Sequence, residues 1–203
     1  NDGGVYYSKD SGDSWIDISD DLSIAQIYRL SQNAKNPTNI INGFQDNGTG
    51  MYENREWYTV MGGDGMDCAI DPDNPSFAYS NLYYGDVRRY TDGWYSGKIA
   101  ANGTNGINES GAWVTPFVLR EGLPSTMYIG YKNIWRSTNI QASSASAVSW
   151  TKISNNLDGN NSQTIRAVEN SPANSDILYI AKSNALLRSD NINDVSPTYT
   201  NLK

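Results

Sequence analysis

The side chains that could do chemistry are of few types. The chain of 203 residues has no histidine, and Cys68 is its sole cysteine. Without an imidazole neither Ser-His-Asp nor Cys-His catalysis can be assembled, nor a zinc site with imidazole ligands. Carboxylates, tyrosines, lysines and arginines remain. Two acids stand in turn-rich surroundings: Asp46 in Gln45-Asp46-Asn47-Gly48-Thr49, and Asp64 in Gly62-Gly63-Asp64-Gly65-Met66. A pair of carboxylates about 5–10 Å apart is what glycoside hydrolysis requires. Tyr83, Tyr84 and Asp86 share one short run, and Lys132 stands in another. Aromatic faces suit pyranose rings, while Gln45, Asp86 and Lys132 suit hydroxyls. The simpler reading is that Asp46 and Asp64 cap turns, because Asp-Asn-Gly and Gly-Asp-Gly form turns without any function. Calcium is a third use of the same oxygens, but no contiguous calcium-loop pattern occurs. No other metal and no cofactor is expected.

The elements that must position these residues repeat. Ser8-Lys9-Asp10-Ser11-Gly12-Asp13-Ser14-Trp15, Arg89-Tyr90-Thr91-Asp92-Gly93-Trp94, Arg136-Ser137-Thr138-Asn139 and Arg188-Ser189-Asp190-Asn191 each follow a short apolar or aromatic stretch. A fifth copy, Gly50 to Asn54, has lost the polar turn. Aligned on Ser8, Asn54, Tyr90, Ser137 and Ser189, the steps are 46, 36, 47 and 52 residues. Four-stranded propeller blades repeat at about 40–50 residues. Asn36-Pro37, Asn74-Pro75, Leu123-Pro124 and Pro172 recur in phase, each ahead of a β-rich run: Ile40–Phe44, Phe77–Leu82, Met127–Tyr131 and Ile177–Ala181. Proline is tolerated at that point because no ladder bond is lost there. Tyr28–Gln32, Asp67–Ile70, Phe117–Arg120 and Ile165–Glu169 read as the strands before those runs. Trp15, Trp57, Trp113, Trp150 and Tyr199 mark the last strand of each unit. The fold class is therefore an all-β propeller of four-stranded antiparallel blades. A half blade spans residues 1–20, and whole blades span about 21–62, 63–115, 116–155 and 156–203. With a half blade at its start, the chain is expected to be part of a longer protein.

Ser8-x-Asp10-x-Gly12-x-x-Trp15 resembles the Asp-box of bacterial-neuraminidase-type repeats, found in sialidases, xyloglucanase-type glycoside hydrolases, sortilin ectodomains and secreted bacterial propellers. The resemblance implies that Ser8, Asp10, Gly12 and Trp15, with Asp92, Ser137, Asn139 and Ser189 in the weaker copies, build turns on the rim, away from the binding face. It also makes Asp46 similar to the acidic position of xyloglucanase-type enzymes, with Asp64 as the second acid. Arg89, Arg136 and Arg188 adjoin those turns, so they do not form a sialidase arginine cluster.

The net charge is −7, which disfavours a nucleic-acid partner, and no apolar run is long enough to span a bilayer. Low charge with many Asn and Tyr suits a glycan- or protein-facing surface. A secreted or cell-surface, bacterial binding or structural module is thus expected, joined to other domains or blades of its parent chain. A glycoside hydrolase using Asp46 and Asp64 is the alternative. Tyr95–Ser110, Gln141–Val148 and Leu157–Gln163 read as exposed loops. Cys68, in the apolar run Met66 to Ile70, reads as a buried small hydrophobe.

Overall fold

The computed structural model describes residues 5–19, 25–157, 159 and 161–203. Parts of the expected half blade (1–4 and 20), of the expected first whole blade (21–24) and of the Leu157–Gln163 stretch (158 and 160) lie outside the described residues. The described residues are all-β and form four antiparallel four-stranded sheets and one hairpin. The hairpin pairs β1 (Tyr6–Tyr7) with β2 (Ile16–Asp17). The first sheet holds β3 (Ile27–Gln32), β4 (Ile40–Phe44), β5 (Gly48–Glu53) and β6 (Glu56–Met61). The second holds β7 (Cys68–Ile70), β8 (Phe77–Leu82), β9 (Asp86–Thr91) and β10 (Trp94–Ala100). The third holds β11 (Phe117–Leu119), β12 (Met127–Gly130), β13 (Ile134–Ser137) and β14 (Thr151–Lys152). The fourth holds β15 (Ala167–Asn170), β16 (Leu178–Ala181), β17 (Leu186–Ser189) and β18 (Thr200–Asn201). Successive sheets meet through their first strands: β3 and β4 pack on β7, β7 on β11, and β11 and β12 on β15. This arrangement is consistent with propeller blades.

The turn from first to second strand is the same in every sheet. Asn33 N–H donates to the Asn39 carbonyl, Asp71 N–H to Phe77, Arg120 N–H to Thr126 and Ser171 N–H to Ile177. A buried Asx side chain caps it twice: Asn33 Oδ1 accepts the N–H groups of Lys35 and Asn36, both at 2.8 Å, and Asp71 Oδ1 those of Asp73 and Asn74, both at 2.9 Å. Such a cap satisfies donors that burial would otherwise strand. Asn33 Nδ2 also donates to the Asp71 carbonyl at 3.0 Å, so the cap stitches the first sheet to the second.

The turn from third to fourth strand comes in two kinds. In the first and second sheets it has two residues in the left-handed region, Asn54 (φ 54°) and Arg55 (φ 69°), and Asp92 (φ 52°) and Gly93 (φ 78°). Two left-handed corners match the twist of a hairpin. Asp92 therefore serves by its backbone freedom, and its place is unlike that of Asp10. In the hairpin and in the third and fourth sheets a Ser-x-Asx clamp closes a longer loop. Ser8 Oγ donates to Asp10 Oδ1, Ser137 Oγ to Asn139 Oδ1 and Ser189 Oγ to Asn191 Oδ1. The same Asx oxygen accepts the N–H of Ser14, Ser149 or Thr198. The Ser14 hydroxyl, which donates to the other Asp10 oxygen, together with the Ser14 N–H and the Ser8 hydroxyl holds the Asp10 carboxyl down to about 2.

Three apolar seams lie between the sheets. Ile41, Met51, Cys68, Ile70 and Ala78 fill the first; the Cys68 thiol donates to the Ile41 carbonyl at 3.3 Å, and burial pushes its pKa up. Tyr79, Ile99, Phe117, Met127, Tyr131, Trp135 and Trp150 fill the second. Tyr128, Ile153, Ile165, Leu178 and Leu187 fill the third.

Two expectations change. The fourth strand of the second sheet is Trp94–Ala100 and not a strand at Trp113, so the first part of the supposed loop 95–110 is an edge strand whose Ile99 and Ala100 are fully buried. Bulges at Ser96 and Ile99 break its alternation. Gln141–Val148 is not a free loop either. It folds into a short 3-10 turn, Ala145–Ala147, against β10. A Cβ on Gly97 would meet the Ala145 methyl at 2.4 Å, so glycine permits that approach.

Candidate functional site

Residues 101–116 leave β10 and return across the loop joining β8 to β9. The return is fixed by reciprocal backbone bonds: Tyr84 N–H donates to the Trp113 carbonyl at 3.3 Å, and Gly111 N–H to the Tyr84 carbonyl at 3.1 Å. Asn81 Nδ2 anchors the end of the segment by donating to the Thr115 carbonyl at 2.7 Å. The result is a cluster of three exposed rings. Tyr83 stacks on Trp113, centroids 5.1 Å apart and planes 13° apart. Tyr84 meets both rings edge-on at 5.7 and 5.5 Å. Their exposures are 41%, 51% and 42% for Tyr83, Tyr84 and Trp113.

The backbone under this platform is strained. Tyr84 has φ 62° and ψ 15°, a left-handed conformation costing a non-glycine residue about 1–2 kcal/mol. Gly85 follows with φ 84°, and a Cβ there would lie 2.4 Å from the Tyr131 ring. Tyr131 in turn donates its hydroxyl to the Gly85 carbonyl at 2.7 Å. The buried Tyr131 thus braces the bend that lifts Tyr83 and Tyr84 into solvent.

Asp46 and Asp64 do come together. Asp46, at φ 59°, donates its backbone N–H to Asp64 Oδ1 at 2.9 Å. The segment carrying Asp64 is threaded between sheets by glycine. Gly48 N–H donates to the Gly63 carbonyl and Gly65 N–H to that of Phe44; a Cβ on Gly65 would lie 2.1 Å from the Gly48 carbonyl oxygen, and one on Gly48 1.9 Å from that of Met61. Gly63 also lies beside Leu82, the residue before Tyr83. Turn and platform therefore share one end of the sheets.

The other sequence candidates are dispersed around that end. Gln45 Oε1 accepts the Tyr28 hydroxyl at 3.2 Å. Asp86 is neutralised by Lys98 at 2.7 Å and Arg88 at 3.3 Å. Lys132 lies in the next loop, where its carbonyl accepts Lys182 Nζ at 3.2 Å. The neighbouring Asn133 is locked by Glu109, which accepts its N–H at 3.0 Å and its Nδ2–H at 2.8 Å.

Two residues were missed by sequence reasoning. Trp113 was assigned to a strand, although a tryptophan after an Asn- and Gly-rich stretch was the available signal. Asp67 was read only as a strand start. Its burial pushes the carboxyl up to about 6, against the Phe117 N–H and the Arg29 guanidinium, which favour the charged form. An acid within the apolar run Met66 to Ile70 was the signal for that one.

A cleft of about 290 Å³ between the first and second sheets, lined by Asn36, Tyr52, Glu53, Pro75, Asp92 and others, opens among the opposite turns and shares no residue with the platform. Among the described residues no group of three or more His, Cys, Asp or Glu could hold a metal ion, and no helix is long and apolar enough to cross a membrane.

No family model matches the sequence, and no curated protein matches it. Solved structures do. An ancestral GH74 enzyme is similar over 98% of this chain and 28% of its own, at 16% identity and a TM-score of 0.63. The GH74 xyloglucanase from Xanthomonas campestris is similar over 86% of this chain and 29% of its own, at 13% identity and 0.62. The GH74 enzyme of Niastella koreensis is similar over 99% and 34%, at 16% identity and 0.59. The chain spans about a third or less of the length of each, and at these identities the likeness shows the fold.

Proposed function

We propose that this chain is part of an Asp-box β-propeller that holds a glycan against Tyr83, Tyr84 and Trp113. The observation that carries the reading is the strained, braced platform. Three large rings are exposed together, and one sits in a backbone conformation that aromatic residues avoid; such strain clusters where a ligand is held. Stacked aromatic faces with amide and charged groups nearby suit the alternating apolar faces and hydroxyl edges of a sugar. The Ser-x-Asx clamps at Asp10, Asn139 and Asn191 support the Asp-box reading, and they lie at the opposite turns, where a structural role suffices. A polysaccharide ligand of this kind is met outside the cell or on its surface, which is where we place the protein, in a bacterium.

A second reading is a glycoside hydrolase, favoured by the likeness to GH74 enzymes. Asp46 and Asp64 would be its acids, but Asp64 spends one carboxylate oxygen on the Asp46 backbone.

Retention on a panel of insoluble polysaccharides, with reducing ends assayed in parallel, separates these readings. Tyr83→Ala and Trp113→Ala are each expected to weaken retention about tenfold, the loss of about 1.4 kcal/mol. Unchanged retention in both would sink the platform. Sugar release abolished by Asp46→Asn with Asp64→Asn would establish the hydrolase instead.

A further inference from the structure

One position recurs beside every seam. The shared first turn aligns Ile41, Tyr79, Tyr128 and Tyr179 as equivalent residues of the second strands. Opposite them in register, on the third strands, stand Met51, Arg89, Arg136 and Arg188. Arg89 Nη1 donates to the Ile140 and Ala142 carbonyls of the third sheet at 3.0 and 2.7 Å. Arg136 Nη1 donates to the Ile192 and Asp194 carbonyls of the fourth at 2.8 and 3.1 Å. In the second and third seams, then, a guanidinium reaches across and takes two oxygens of the neighbouring sheet.

The first seam is built otherwise. Met51 stands at the arginine's position, where it has no donor to send across, and the cleft of about 290 Å³ opens beside it. Both walls of that cleft come from this chain. Two residues beyond Met51, where the second and third sheets have Thr91 and Thr138, the first sheet has Glu53. Glu53 and, from the second sheet, Asp92 line the cleft, and no lysine or arginine lines it. Among the described residues neither acid is paired with a base, as Asp86 is with Arg88 and Lys98. Tyr58 donates its hydroxyl to Glu53 Oε2 at 3.0 Å. Burial and that carboxylate push the hydroxyl up to about 12, so it stays a donor. A Cβ on Gly93 would lie 2.9 Å from the same hydroxyl, so glycine lets Tyr58 reach the Asp92 turn and hold Glu53 at the seam. Met51, Ile70 and Pro75 line the apolar part of the cleft.

We infer that the first seam takes from a partner protein the arginine side chain that the second and third seams supply from within. Its methylene stem lies along Met51, Ile70 and Pro75, and its guanidinium meets Glu53 and Asp92. Arginine suits the site better than lysine, because its planar fork engages two acceptors at once and stays charged. Arg89 and Arg136 show that fork at work in the equivalent places. The cleft's 290 Å³ falls just below the range of about 300–1,000 Å³ usual for whole small molecules, a size for one side chain. The chain's net charge of −7 draws a basic segment toward it. The site lies among the turns opposite Tyr83, Tyr84 and Trp113, so it stands whether or not that platform holds a glycan.

Titration of the whole chain with N-acetyl-argininamide, followed by amide NMR shifts, tests this. A Kd of about 1 mM is expected for a single side chain. N-acetyl-citrullinamide, which keeps the shape without the charge, is expected to bind at least about tenfold more weakly. Glu53→Gln is expected to weaken binding of the arginine probe by a similar factor; its amide oxygen still accepts the Tyr58 hydroxyl, so that variant reads the charge and not the fold. Met51→Arg, which fills the cleft from within as Arg89 does the second seam, is expected to abolish binding, with the amide spectrum reporting that the chain remains folded. A wild-type chain that does not bind the probe, equal binding of the citrulline compound, or binding that Glu53→Gln or a folded Met51→Arg leaves unchanged overturns the inference.

Discussion

The Asp46 turn and the Tyr84 bend occupy corresponding loops of the first two sheets, and each places a non-glycine residue in the left-handed region. Asp46 does so at φ 59° and Tyr84 at φ 62°. The cost differs. A short polar side chain tolerates that conformation and can bond its own backbone, whereas an aromatic ring gains nothing locally. Asp46 is followed by Asn47 and Gly48, so local turn chemistry accounts for its conformation, and the distant Asp64 only supplies one acceptor for its N–H. Tyr84 is held by Trp113, Gly111 and the Tyr131 brace, three long-range contacts arranged around one strained residue. Strain that local sequence explains points to a turn, and strain maintained from a distance points to a site.

The comparison breaks most sharply at Gly85. Gly85→Ala adds a Cβ against Tyr131 and enforces a positive φ on alanine, an expected loss of about 4 kcal/mol read from urea unfolding. Stability within about 1 kcal/mol of wild type would mean that the brace is soft.

Asp67, three residues beyond Asp64, has the next largest effect. Its folded-state value is about 6 against 3.8 for the ordinary carboxyl. The folded chain therefore holds the extra proton between those values. Protonated Asp67 contributes its full stability below about pH 4, and the contribution fades as pH rises through 6, amounting to roughly 3 kcal/mol. Urea midpoints across that window are expected to fall more steeply for wild type than for Asp67→Asn; parallel slopes would remove Asp67 as their cause.

Tyr84→Gly is expected to release the bend, raising stability by about 1 kcal/mol while weakening glycan retention. A loss of both would show that the ring packs more than it strains. Asp64→Asn is expected to change stability by less than about 0.5 kcal/mol, because an amide oxygen still accepts the Asp46 N–H. A larger loss, seen in the same unfolding curves, would make the charge itself important at that turn.

What the sequence showed and concealed follows the range of the interactions. The second strands were legible almost to the residue, Ile40–Phe44 and Phe77–Leu82 without error, because proline and Asx residues mark their entry and alternation marks their length. Asp46 and Asp64 were legible as neighbours because each closes a loop at the same end of adjacent strands. β10 was hidden: its two bulges and Gly97 made a strand look like the beginning of a loop. Trp113 was misplaced for the same reason, since the last tryptophan of a unit serves as a strand marker elsewhere, at Trp57 and Trp150. Its stacking on Tyr83 depends on a return of the chain that no local pattern records. The arginines were noticed as neighbours of turns, but their acceptors lie more than fifty residues away, in loops whose carbonyls carry no sequence signature.

The clamps have a last consequence, for tolerance to insertion. The bond from the Asx oxygen to the closing Ser or Thr spans four residues at Asp10, seven at Asn191 and ten at Asn139. The base of the loop is thus sealed while its contents vary. Lengthening a loop whose ends are already held together adds only about 0.6 kcal/mol per doubling. A peptide tag or a small folded domain spliced near Ser196, beyond the Ile192 and Asp194 carbonyls that Arg136 requires, should therefore hang from the rim of the molecule without disturbing the sheet beneath it.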